Sequence, residues 1–132
     1  MQSQGEIYLA TVCIEPNRWG SKQPSFCVSD WLERLASDGF DGIELWENHY
    51  LLADADEQAR LAEQAAPVAI FNTYAGFCDS DEDAAHRAAV VDAVTKLQAR
   101  GVKYNLGRDA PQLEEYRASL LAWAEQLPES CQ

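Results

Sequence analysis

The run Gly39-Phe40-Asp41-Gly42-Ile43-Glu44-Leu45-Trp46 decides how the rest of the chain is read. Gly39 stands where a C′ residue ends a helix. After it, Ile43 and Leu45 alternate with Glu44, and successive side chains on a strand point to opposite faces. The spacing predicts a short strand with Ile43 and Leu45 under helices and Glu44 on the other face. A carboxylate there needs partners, because burying an unpaired charge is costly.

The same grammar repeats outward from this strand. Upstream, Ile7 to Ile14 is a near-continuous apolar run, as a parallel strand covered on both faces requires. A loop from Glu15 leads to Ser29, a candidate N-cap, with Trp31, Leu32, Leu35 and Ala36 on one helix face. Downstream, a loop carries Glu47-Asn48-His49-Tyr50, and a helix from Asp54 to Ala66 ends before Pro67. Val68 to Thr73 is a third strand, followed by the loop Tyr74 to Cys78. A helix over about Ala84 to Arg100 leads through Gly101, its expected cap, into a fourth strand, Val102 to Leu106. A last helix covers about Leu113 to Gln126.

Strands thus recur about every 32 residues, and eight such units would fill the roughly 250 residues of a (β/α)8 barrel. The chain has 132 residues. The expected fold is α/β: a single domain over 1–132, half of a (β/α)8 TIM barrel with four parallel strands each followed by a helix. The units fall at about 7–38, 42–66, 68–100 and 102–127. The alternative is a small three-layer α/β sandwich, since both architectures demand buried parallel strands. A half barrel would leave open strand edges and an apolar inner face to be covered.

Composition narrows function. The net charge is −12, from 22 acidic against 10 basic residues, so nucleic-acid and anionic-membrane partners are disfavoured. A local basic pocket for a sugar phosphate stays compatible with that balance. No apolar run is long enough for a membrane span, and the N-terminus lacks the basic and apolar regions of a secretory signal. Cys13, Cys27, Cys78 and Cys131 form no C-x-x-C pair, so reduced thiols and a cytoplasmic location are expected.

Candidate site residues follow the strands, where barrel active sites are built. Glu44 is either a substrate-binding or a paired structural carboxylate. Trp46 and His49 suit a sugar pocket, since aromatic faces stack on sugar rings and imidazole bonds hydroxyls. Asn72 and Tyr74 follow the third strand; Asn105 and Arg108 follow the fourth, and Arg108 could hold a phosphate. His86 is expected on a helix surface. The acids Asp79 to Asp83 fail as an EF-hand loop, which needs Gly and Glu where Ala84 and Val90 stand, and fit a helix N-terminus instead.

The Gly39–Trp46 run, with the His49 loop and the passage Ala99-Arg100-Gly101-Val102, resembles the xylose isomerase-like TIM barrels, the sugar-phosphate isomerase/epimerase group. The resemblance covers about Ile7 to Leu127. It implies isomerase or epimerase chemistry on a small-molecule sugar: a divalent metal (Mn, Mg or Co) polarises the carbonyl while two carboxylates move a proton through an enediolate. In that group the metal ligands come from the fifth to eighth strands, so this chain is expected to lack them and to bind no metal alone. Asn72 and Asn105 stand where the group's nuclease branch would place metal-ligating His. A homodimer completing the barrel, acting as a non-catalytic binding or assembly module, is the alternative expectation.

Overall fold

A computed structural model describes residues 4–63, 68–107 and 110–131. Four strands, β1 (Tyr8–Ala10), β2 (Gly42–Trp46), β3 (Val68–Asn72) and β4 (Gly101–Lys103), form one parallel sheet in the order β1-β2-β3-β4. The helices are α1 (Leu32–Ser37), α2 (Asn48–Leu51), α3 (Ala55–Glu63), α4 (Asp81–Leu97) and α5 (Leu113–Ala124). No helix among the described residues is long and apolar enough to cross a membrane.

Leu45 and Phe71 are register partners and both are fully buried. Around them Ile43 and Val68 join Leu32 and Leu35 of α1, Leu61 of α3, Val90 and Val94 of α4 and Trp123 of α5 in one core cluster. Apolar side chains from the helices therefore converge on the Ile43–Leu45–Phe71 side of the sheet. Each such large side chain contributes about 1.5–3 kcal/mol by leaving water. A bulge sets the register: Ile43 pairs with Val68 but Glu44 with Ile70, so Ala69 is extra.

The opposite side holds Ala10, Glu44, Ile70 and Gly101 in one row. Trp46, Asn72 and Lys103 form the next row toward the carboxyl ends. This face is mixed rather than wholly apolar, with Glu44, Asn72 and Lys103 beside Ile70 and Trp46. Arg100, just before β4, donates to Glu6 Oε2 and to the Tyr8 hydroxyl, both at 3.0 Å. This bridge spans β2 and β3 to join the β1 and β4 sides.

Several boundaries differ from the sequence expectation, each for a local reason. β1 stops at Ala10 and Thr11–Ile14 form a 3-10 turn. The Thr11 hydroxyl accepts the Trp46 N–H at 2.9 Å, filling a place that a backbone carbonyl would take in a longer ladder. β4 ends at Lys103, whose carbonyl accepts the Thr73 N–H as β3 runs out. Ser29 caps no helix: its N–H and hydroxyl both go to Glu57, and α1 follows a 3-10 turn over Val28–Trp31 with no side-chain cap. Residues Asn48–Leu51 are a helical turn rather than loop.

Two helix ends show the chemistry plainly. α1 ends in a Schellman motif, with Phe40 N–H on the Leu35 carbonyl, Gly39 N–H on that of Ala36, and Gly39 at φ 96°. α4 begins earlier than expected, because Ser80 accepts the Asp83 N–H and the acids 81–83 fill its first turn. It is Gln98, at φ 52°, that ends α4, while Gly101 opens β4. The expected stop at Pro67 lies outside the described residues.

Candidate ligand site at the carboxyl ends of the strands

A buried polar chain fixes one wall of the site. Thr11 accepts from the Trp46 backbone and so offers its hydroxyl proton to His49 Nδ1, 2.8 Å away. His49 Nε2 then donates to Glu15 Oε2 at 2.9 Å. Burial pushes the His49 pKa below its ordinary value, so a neutral ring with the proton on Nε2 satisfies every partner. Burial alone would raise the Glu15 pKa. The N–H groups of Ser25 and Asn17, with His49, outweigh it and hold that carboxyl at about 2.

Glu15 thereby staples the loop between β1 and α1 at two points ten residues apart, its own position and Ser25. Asn48 Nδ2 adds a bond to the Lys22 carbonyl at 2.9 Å, and Arg18 donates back to the Glu15 carbonyl. The loop is held against the carboxyl end of β2. Between them lies a cleft of about 200 Å³ lined by Val12, Arg18, Trp19, Lys22, Trp46, Asn48 and Tyr74. Three aromatic rings and two cations meet there, in a chain of net charge −12. Trp19 is 82% exposed, with the Arg18 guanidinium 6.0 Å from its ring. The arrangement suits a small molecule with a stacking face and an anionic group.

Behind the cleft runs a polar seam over three strands. Asn72 Nδ2 donates to Glu44 Oε1 at 3.0 Å, and Lys103 Nζ reaches the same oxygen at 3.2 Å. Since β3 lies between β2 and β4, the Lys103–Glu44 bridge crosses it. Asn72 is 2% exposed and its Oδ1 has no hydrogen-bond partner among the described residues. A flipped carboxamide would set Oδ1 against the Glu44 carboxylate, so the orientation is chemically determined. Leaving a buried acceptor unmade costs about 1–3 kcal/mol. The partly exposed Lys103–Glu44 pair contributes only about 0–1 kcal/mol.

A second buried carboxylate escapes sequence reasoning altogether. Glu47 accepts from the Thr73 hydroxyl at 2.6 Å, the Tyr74 N–H at 3.1 Å and His86 Nε2 at 2.9 Å. It locks the start of the β3–α4 loop, which carries Tyr74 into the cleft. His86 is thus a tether between α4 and the end of β2 rather than a plain surface residue. Nothing in the local sequence signals this pair, which is 39 residues apart. Arg18, Trp19 and Lys22 were equally hidden in a loop, and Glu15 gave only the faint signal of a lone acid closing an apolar run.

The expected residues therefore divide. Trp46 and Tyr74 line the cleft, and Glu44 and Asn72 form the seam beside it. His49 lies beneath the cleft, bonded to Thr11 and Glu15 at both nitrogens. Asn105 is exposed beyond the end of β4, and Arg108 lies outside the described residues. Among the described residues no three His, Cys, Asp or Glu side chains gather to hold a metal ion. The donor set present does not fit the metal centre implied by the resemblance.

No family model, curated protein or solved structure matches the chain.

Proposed function

We propose that this chain is a half barrel of the sugar isomerase/epimerase type that binds a small sugar phosphate at the carboxyl ends of its strands. The observation that carries this reading is the cleft in which Arg18 and Lys22 face Trp19, Trp46 and Tyr74. The cations supply anion binding in an otherwise acidic chain, and the rings supply stacking faces for a sugar. The strictly sequential strand order and the gathering of helices on one side of the sheet support half-barrel architecture over a three-layer sandwich. Positioning would come from Trp46 and Tyr74 as stacking faces and from Glu44 and Asn72 as hydroxyl partners.

Calorimetric titration with a pentose 5-phosphate, the parent pentose and inorganic phosphate tests the reading. The phosphorylated sugar should bind best, and Arg18→Ala with Lys22→Ala should weaken it by about tenfold or more. Equal, negligible binding of all three ligands would refute it. Turnover of ketoses or inososes with added manganese or magnesium tests the chemistry separately.

A second reading, a binding module that pairs with its own copy, is favoured by one specific observation. β1 and β4 each have a single strand partner among the described residues, so two sheet edges are open. Two copies supply eight strands, and light scattering over a concentration series would detect the dimer.

A further inference from the structure

We infer that Glu44, Asn72 and Lys103 form a hydroxyl-recognition subsite, taking two neighbouring hydroxyls of a polyol ligand whose anionic group sits at Arg18 and Lys22. The inference deepens the sugar-phosphate reading and rests on it for the anionic end only. Its basis is Asn72 Oδ1, a buried acceptor without a partner among the described residues, on the sheet face behind the cleft. An acceptor without a donor calls for an O–H or N–H from outside the chain. Beside it stand a carboxylate whose two contacts both fall on Oε1, and an ammonium group with three donors. One hydroxyl can donate to Asn72 Oδ1 while its neighbour donates to Glu44 and accepts from Lys103.

Two further features connect the subsite to the cleft. Trp46 is the register partner of Asn72 and also lines the cleft, so one indole borders both. Lys103, whose side chain is 56% exposed, shares Glu44 Oε1 with the Asn72 amide. Turning it onto a ligand oxygen breaks only a partly exposed ion pair. A water molecule at Oδ1 is the competing explanation, and it predicts no dependence on ligand hydroxyls.

The test follows the Asn72 side-chain amide by nitrogen-resolved NMR while the protein is titrated with inorganic phosphate, a pentose 5-phosphate, its 2-deoxy analogue and an uncharged pentitol. The pentose phosphate should bind about tenfold tighter than inorganic phosphate and shift the Asn72 amide. Lys103→Ala and Asn72→Ser should erase that advantage and leave inorganic phosphate binding unchanged. Lys103 is exposed enough that its variant will fold even if Asn72→Ser does not. An Asn72 amide unmoved by both the pentose phosphate and the pentitol overturns the subsite, as does an advantage that survives in Lys103→Ala. A pentitol that shifts Asn72 in a protein blind to phosphate keeps the subsite and sinks the anion reading at Arg18 and Lys22.

Discussion

His49 and Glu15 bond to each other at 2.9 Å with both side chains wholly out of contact with water. An ionised carboxylate and a neutral imidazole account for all their partners, and the two groups make stability depend on pH in the same direction. The Glu15 carboxyl titrates near 2 in the folded chain against an ordinary 4.5, so its contribution is full above 4.5 and is lost as pH falls toward 2. His49 has a folded value below its ordinary 6.5, so the unfolded chain takes up a proton first as pH falls below 6.5. Both effects favour unfolding in acid. Urea midpoints should stay level above neutrality and decline steadily from pH 6.5 to 3; a flat profile over that range would contradict the assigned protonation states.

Replacing Glu15 by Gln keeps the shape but cannot accept from Asn17, Ser25 and His49 together. At least one buried donor is then orphaned, at a cost of about 1–3 kcal/mol. The loop bearing Arg18, Trp19 and Lys22 should loosen, so hydrogen exchange at the Asn17 and Ser25 amides should quicken before global unfolding does.

Phe71→Ala should destabilise the chain by about 3–5 kcal/mol, since Phe71 is fully buried opposite Leu45 and stacks edge-on with Tyr50. Thermal melts give the answer. A loss below 1 kcal/mol would mean that the sheet and helices are not packed as described.

Gly76 is needed for closeness rather than for φ. A Cβ built there would collide with Asp83 Oδ2, the oxygen that accepts the Cys78 N–H. Gly76→Ala should therefore push Asp83 aside and cost about 1–3 kcal/mol through the lost bond. Ser80→Ala, which removes only the cap on α4, should cost about 1 kcal/mol. Chemical denaturation of the two variants would rank them.

How much of this was legible depends on the range of the forces involved. β2 and β3 stand almost where their apolar runs place them, because side-chain alternation and turn residues are local signals. The Gly39 helix stop was legible for the same reason, since only a residue tolerant of positive φ suits it. Thr11 sits in an apolar run that spells strand, and nothing nearby tells that its hydroxyl will meet the Trp46 amide 35 residues on. His49 has the local sequence of a ligand-facing loop residue, and only the folded chain brings Thr11 and Glu15 to its two nitrogens. The cleft is illegible for a related reason: its cations lie in a loop without periodicity, and it is Glu15 that decides where they go.

Strand order carries a further consequence, for the time course of synthesis. Each strand pairs with the one translated just before it, so the sheet can grow in the order in which it leaves the ribosome. Arg100 departs from this rule, reaching back 94 residues to Glu6 and 92 to Tyr8. That contact has to wait until residue 100, just ahead of β4, is made. It is a natural reporter of the nascent chain reaching its fourth strand.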